Sequence, residues 1–251
     1  MISSVSNGVI RRVRRLRKRS WRERRGQILI EGHHAVRTAL EAGAPIPEAF
    51  CTPSALPRRD ELLAALRSAG ARVREVTPEV MAHLTSLTTA PDVLAVGPLV
   101  ETRLETALGS SAVVLDAVHD PATAGAVTAI AASVGIEAVV FGEESVDAFA
   151  PKTVRSARGA HYVVKVIREV PAVSAAERLA DAGARLVALA EDGPTVWSVE
   201  LEGPIVLVVG EGRVASDKAL PVAVPALRVG PSLTARTAVV LYEWLRRGGG
   251  E

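Results

Sequence analysis

The chain is predicted to be an α/β protein: a small N-terminal α/β domain followed by a larger domain on a parallel sheet. Three observations predict it. Residues 111–141, SAVVLDAVHDPATAGAVTAIAASVGIEAVVF, read as a buried strand, a loop, a helix and a second strand. That rhythm repeats to the end of the chain, and strands alternating with helices across short loops make a parallel sheet covered on both faces. The third is size: 251 residues with 48% hydrophobic content suffice for one large core or two small ones. Aromatics are only 3%, so the core is built from Ala, Val, Leu and Ile.

In chain order, residues 1–9 are expected as a flexible lead and 10–25 as a basic helix ended by Gly26. Ile10, Val13 and Leu16 recur at i, i+3 and i+6, an apolar stripe that docks this helix on the body. Trp21 is suited to packing there, or to stacking on a base. A strand over 27–30 ends in Glu31-Gly32. A helix spans 33–42, a strand 49–52, a helix 59–69 and a strand 73–76. Val80, Met81 and Leu84 space a short helix over 78–84, leaving His83 on its surface. A strand over 93–96 closes the domain, residues 1–97. Residues 98–110 read as a linker with room for one helical turn, punctuated by Gly and Pro.

The second domain is 111–251. Strands are expected at 112–118, 137–141, 161–166, 185–189, 204–209 and 222–226, and helices at 125–134, 150–158, 173–182 and 232–247. The first strand stops at Asp120-Pro121, a turn signal. The loop Ala122 to Gly125 is small enough for a ligand to approach its backbone. The helix after it is apolar almost all round and should be sandwiched. A strand–loop–helix turn of this kind places backbone N–H groups at the carboxyl edge of a parallel sheet, where α/β proteins bind ligands.

Charge is uneven. Residues 11–25 hold ten Lys or Arg and one Glu, a net of +9, which leaves −7 for the rest of a chain whose total is +2. So dense a block wants a polyanion. Six or more of these charges on phosphates would make affinity fall by roughly 10³ from low to moderate salt. The single Cys51 fits a reducing compartment. The five histidines show no metal-ligand spacing, so no metal is expected. The longest uncharged run, Pro121 to Ile136, falls short of the roughly 18–20 residues of a spanning helix, and the N-terminus has no apolar signal core. A cytoplasmic protein without a membrane segment is expected. No Gly-x-Gly-x-x-Gly follows any strand, which disfavours a nicotinamide-dependent dehydrogenase.

Four stretches carry a resemblance to the SpoU (TrmH) branch of the knotted SPOUT methyltransferases, and together with the N-terminal domain it covers nearly the whole chain. In the first, a family strand ends in Asp-Pro-x-Asn-x-Gly with an Arg four residues on. Asp120, Pro121 and Gly125 match; Thr123 stands for the Asn and Ala129 for the Arg. In the second, Pro151, Lys152, Arg155 and Gly159 match the family's Asn-Pro-Lys-x-x-Arg-x-Ser-x-Gly, with Ala150 and Ala157 for Asn and Ser. Lys152, Arg155 and Arg158, at i, i+3 and i+6, are expected on one helix face. In the third, Glu211 and Gly212 match, while Val209, Gly210, Val214 and Ala215 replace Gly, Asn, Gly and Leu. In the fourth, Val224-Pro225 and Leu241-Tyr242-Glu243 match; anchored on Leu241 to Glu243, Ser232 replaces an Asn, and anchored on Ser232-Leu233, Thr234 does, the first being preferred because a loop absorbs a deletion more cheaply than a helix. The basic helix, the strand ending in Glu31-Gly32 and the run from Thr85 to Val96 resemble the family's ribosomal-protein-like substrate-binding domain.

The resemblance implies a deep trefoil knot in the C-terminal domain, a homodimer with its active site at the interface, and S-adenosylmethionine held in the knot. It implies 2′-O-ribose methylation of RNA, ribosomal RNA foremost. Carried over residue by residue, the cofactor would meet Gly210, Glu211, Gly212, Val224, Leu227 and Leu233, with Arg213 and Pro225 between them. Arg155 and Ser232 are the catalytic candidates, with Arg158 and Arg236 as further substitutes for the missing Arg. RNA would meet Arg11, Arg12, Arg14, Arg15, Arg17, Lys18, Arg19, Glu31, Lys152 and Arg158. The same departures also fit a second reading: a methyltransferase-like RNA-binding protein that has lost catalysis.

Overall fold

The computed structural model describes residues 1–210, 216–224 and 232–249. The chain divides into two compact units, one of residues 1–100 with 149–163 and one of residues 101–148 with 164–251.

The first unit begins with a correction. Residues 1–9 are not a loose lead: Ile2 bridges to Val76 in parallel, taking its N–H to Glu75 O at 2.8 Å and its carbonyl to Thr77 N at 3.1 Å. Asn7 then caps α1, Gly8–Arg14, by accepting from Val9 N. The single basic helix expected over 10–25 is broken. A 3-10 turn, Arg15–Arg17, ends at Lys18, whose extended backbone (φ −93°, ψ 131°) separates it from α2, Arg19–Arg25. Arg22 explains the break. Its side chain is 2% exposed and its guanidinium donates to Leu16 O at 3.2 Å and Arg17 O at 3.0 Å, satisfying carbonyls that a continuous helix would have paired internally. No Pro or Gly marks the spot in the sequence. The stripe of Ile10, Val13 and Leu16 docks as expected, buried with Phe50, Val80, Met81 and Leu84.

Gly26 takes the left-handed C-cap of α2 (φ 59°), and the chain runs into β1, Gln27–Glu31. There follow α3, His33–Glu41, and β2, Glu48–Cys51, then α4, Asp60–Ser68, and β3, Arg72–Glu75, and finally α5, Pro78–Leu84, and β4, Val93–Pro98. The strand order is β1-β4-β2-β3; β4 is antiparallel to both neighbours and β2 is parallel to β3. His83 on α5 is half-buried rather than on the open surface.

The second unit opens with a 3-10 turn, Leu104–Ala107, and β5, Ala112–Asp116. α6, Pro121–Ser133, starts four residues earlier than expected. Residues 122–125 are therefore its first turn and not an open loop: Asp120 caps it and Pro121 fills the first helical position, where a missing N–H is harmless. After β6, Ala138–Gly142, the chain leaves this unit and makes α7, Pro151–Ser156, in the first. It returns for β7, Lys165–Val170, α8, Ala172–Asp181, β8, Arg185–Thr195, β9, Ile205–Gly210, β10, Leu220–Ala223, and α9, Leu233–Arg246. β10 starts before the expected residue 222, and residues 225 and 226 lie outside the described ones.

The sheet is parallel throughout, in the order β10-β8-β9-β5-β6-β7. One face buries Ala112, Val114, Val140, Val206 and Val208 under Ala175, Ala176 and Leu179 of α8. The alternate residues Val113, Leu115, Val139, Leu207 and Val209 face the other way and are also buried. α6 and α9 pack on each other and on β5 and β9. α6 is not sandwiched all round: it buries Ala124, Val127, Thr128 and Ala131 and leaves Ala126, Ala129 and Ile130 half-buried. A knot is a property of the whole chain path, and that path is not described at 211–215 and 225–231.

The expected strand at 161–166 is displaced. Residues 160–162 form a 3-10 turn and pairing starts at Lys165. The β-rich run Tyr-Val-Val loses to tertiary contact. Gly159 (φ 91°) presses against α3, where an added Cβ would lie 2.7 Å from Ala35 O and 2.8 Å from Thr38 Cβ, and Tyr162 donates its hydroxyl to Pro98 O at 2.9 Å. Gly159→Ala meets both a disfavoured φ and a backbone clash, so it should destabilise the protein by roughly 1–3 kcal/mol in chemical denaturation; an unchanged midpoint would refute the close approach.

Candidate functional site

In the first unit the basic arm lies beside the strand that ends in Glu31. Of its ten cations, Arg22 is structural and Arg12 pairs with Glu48 at 2.5 Å, while Arg19 is exposed but bonded to Glu23 at 2.8 Å. Arg11, Arg14, Arg15, Arg17, Lys18, Arg24 and Arg25 are exposed. Glu31 is not an exposed RNA contact. It is 3% exposed, neither carboxylate oxygen has a hydrogen-bond donor, and the Arg155 guanidinium stands 3.6 Å away. Burial pushes the Glu31 carboxyl above the ordinary range, an effect that Thr85, Arg155 and Arg17 only partly offset.

Arg155 reaches Glu31 because α7 packs along β1 within this unit. Its side chain is 29% exposed, so one side is anchored and the other is open. The expected shared face of Lys152, Arg155 and Arg158 does not form. α7 stops at Ser156, and Arg158 lies beyond its C-cap with φ 53°, off the helical repeat; Lys152 and Arg158 are exposed.

In the second unit the chemistry-bearing residues gather at the carboxyl ends of the parallel strands. Asp116, the last residue of β5, is in register with Gly210, the last of β9. The two backbones approach so closely that a Cβ on Gly210 would collide with the Asp116 carbonyl. Ala117 then turns the chain with φ 51°. Ser145 braces this turn, donating to Leu115 O at 3.0 Å and accepting from Val118 N at 3.2 Å. Asp116, Ala117 and Gly210 remain half-exposed, and burial with a contribution from Glu144 pushes the Asp116 carboxyl up. Ser145 and Asp116 were not singled out from sequence; no spacing signals a brace formed between two successive strand ends.

Thr123, in the position of the family Asn, is turned back on the helix cap: its N–H and hydroxyl both donate to Asp120 Oδ2, at 2.9 and 3.0 Å. Ala129 offers only a methyl group on a half-buried face of α6. Ser232 is the N-cap of α9 and accepts from Ala235 N at 3.3 Å; Leu233 is the first helical residue. Val224 follows β10 directly. Arg236 donates to the Ala190 carbonyl at β8. Further along α9, Arg246 and Arg247 bind Glu243 at 2.6–2.9 Å and hold its carboxyl down to about 2. Of the expected cofactor residues, Gly210, Val224 and Leu233 thus stand at strand ends or a helix start. Glu211, Gly212 and Leu227, with Arg213 and Pro225, lie outside the described residues. No helix among the described residues is long and apolar enough to cross a membrane, and among them no His, Cys, Asp or Glu side chains gather in a metal-holding group of three.

A parallel sheet with a ligand-type carboxyl edge, joined in one chain to a polycationic α/β unit, suits a protein that holds a small ligand at the sheet and a polyanion on its basic face. Residues 110–220 match the SpoU rRNA Methylase family and residues 7–95 the MRM3-like substrate binding domain. The chain thus carries a domain of the SpoU rRNA methylase family after an MRM3-like substrate binding domain. It is 27% identical over 221 residues to the 23S rRNA (guanosine(2553)-2′-O)-methyltransferase RlmP of Bacillus subtilis, covering 87% of this chain and 85% of that protein. In fold it is similar to the AdoMet-bound rRNA methyltransferase of Sinorhizobium meliloti (TM-score 0.79, 21% identity, 98% of this chain and 97% of that one). It is similar also to an RNA 2′-O ribose methyltransferase (TM-score 0.80, 24% identity, 98% of each chain).

The Glu31–Arg155 pair gives a pH test. Glu31 ionises above its unfolded value of 4.5, so its contribution to stability is intact below that value and falls as pH rises through the folded one. Glu31→Gln removes this loss. The melting temperature of the variant relative to the native protein should therefore rise between about pH 4 and about pH 7; a constant difference would contradict a raised carboxyl.

Proposed function

We propose that the protein is an S-adenosylmethionine-dependent RNA 2′-O-ribose methyltransferase acting on ribosomal RNA, and that it works as a homodimer in the cytoplasm. One observation carries the reading: a SpoU methylase domain and an MRM3-like substrate-binding domain follow one another in a chain whose first unit exposes a dense row of cations. RlmP of Bacillus subtilis, named for 2′-O methylation of guanosine in 23S rRNA, is similar over most of both chains. The dimer is supported by apolar surface on two helices that pack together: half-buried Ala126, Ala129 and Ile130 on α6, and Tyr242 and Leu245 on α9, 64% and 41% exposed.

The carboxyl edge of the sheet suits a donor held by backbone. Asp116, Ala117 and Gly210 are half-exposed there, and two of the three carry little or no side chain, which leaves main chain accessible. Gly210, Val224 and Leu233 would hold S-adenosylmethionine, with Glu211, Gly212 and Leu227 in the same role by resemblance. When bound, this cofactor supplies an electrophilic methyl group.

A ribose hydroxyl is a weak nucleophile, so the protein must orient it and ease its proton away. Ala129 has no group for this, and Thr123 is committed to the cap of α6. We assign the role to Arg155. Its guanidinium is steadied by Glu31 on one side and open on the other, where a fixed cation would favour the developing alkoxide. Arg236 is less suited, since it already serves Ala190 O. Ser232, exposed at the start of α9, is assigned to align the ribose by hydrogen bonding. Arg11, Arg14, Arg15, Arg17 and Lys18, with Lys152 and Arg158, would meet phosphates, which positions RNA without reading its sequence.

Two measurements check this. Calorimetry should show saturable binding of S-adenosylmethionine and S-adenosylhomocysteine; a folded dimer that binds neither would leave the catalytically lost RNA-binding reading. Replacing Arg11, Arg14, Arg15 and Arg17 by Gln should weaken ribosomal RNA fragments and lower the slope of log affinity against log salt by about three; an unchanged slope would remove the arm from the interface.

A further inference from the structure

We propose that Trp21 is a stacking site for an unpaired nucleobase, an inference that rests on the basic arm being an RNA-binding surface. The sequence leaves Trp21 two roles, and packing is the simpler one. The structure does not use it so. Trp21 stays half-exposed and stands outside the apolar cluster that takes Ile10, Val13 and Leu16 from the same arm.

Guanidinium groups surround the ring instead. Arg15 lies 4.7 Å from its centroid, Arg24 5.4 Å and Arg25 5.8 Å. The break at Lys18 produces this arrangement. It turns the chain between the 3-10 turn and α2, so Arg15 and Trp21 meet across it, and buried Arg22 pins the turn by its bonds to Leu16 O and Arg17 O. Arg24 and Arg25 lie three and four residues after Trp21 on α2 and so share its side of the helix. An exposed cation–π contact is weak, whereas a guanidinium bound to a phosphate makes a strong, charge-assisted pair. RNA can therefore draw these arginines from the indole onto its backbone, and the ring they uncover takes a base by stacking. A flat aromatic ringed by phosphate-binding cations is the combination that holds single-stranded RNA. The ligand is an unpaired nucleotide with its flanking phosphates.

The test compares native protein with Trp21→Leu and Trp21→Phe on an oligouridylate of about twelve nucleotides and on an RNA duplex of like length. Trp21→Leu keeps apolar bulk and every charge but loses the π face. It should bind the oligouridylate about ten-fold more weakly with the salt slope unchanged. Trp21→Phe should recover most of the loss, and duplex binding should stay the same. In the native protein the single strand should quench the emission that Trp21→Leu lacks. Native-like oligouridylate binding by Trp21→Leu, an equal loss on duplex, or emission indifferent to saturating RNA would each overturn the stacking role. Failure of the arm itself reads differently: the Arg-to-Gln arm variant would then bind both RNAs as the native protein does, and both proposals would fall.

Discussion

The N-terminal unit depends on a strip of chain that the sequence places some fifty residues beyond its last strand. Residues 149–163 leave the parallel-sheet unit and complete the other one. They bring a cation to a buried carboxylate. Glu31, 3% exposed and without a hydrogen-bond donor, faces Arg155 at 3.6 Å. An isolated buried carboxylate is costly enough to take up a proton instead, so the nearby guanidinium makes its position tolerable. Tyr162 on Pro98 and Gly159 on α3 fasten the same strip. The segment that resembles the family's second motif is thereby part of the unit that carries the basic arm.

The arm itself divides its cations between structure and surface. Arg22 is used inside, as a cap for backbone carbonyls; Arg12 and Arg19 answer Glu48 and Glu23. The others stay on the surface, where like charges repel and an incoming polyanion relieves them. Surface ion pairs such as Arg19–Glu23 add little to stability. What holds the arm down is the burial of Ile10, Val13 and Leu16, at about 25 cal/mol for each Å² of apolar area removed from water.

In the parallel-sheet unit, scaffold and chemistry have separated. The strand ends, the capped start of α6 and the start of α9 keep the geometry of a ligand edge. The polar groups that the family pattern places there are replaced by Thr123, Ala129 and Ser232. Thr123 is turned to the cap of α6, a local structural use of a short polar side chain, while Ser232 caps α9 and stays exposed. The proposed role of easing the ribose proton away falls instead to Arg155, which is anchored by Glu31.

Most elements were legible in the sequence, because their signals are local. Apolar runs alternating with helices gave most strands of both sheets, Gly26 marked a helix end, and α5 falls at Pro78–Leu84 as its Val80, Met81, Leu84 spacing requires. Charge density alone located the arm, and the motif order gave the family. Four features were decided by tertiary structure: the docking of Ile2 on Val76, the break at Lys18, the shift of β7 to Lys165 and the membership of residues 149–163. Each turns on a contact between distant residues or on a cap competing with a neighbouring conformation, such as Arg22 on two carbonyls or Gly159 on Ala35. Local patterns record what a segment prefers. They do not record which distant surface it will be pressed against, and at Glu31 and Arg155 that pressure decides what the residues can do.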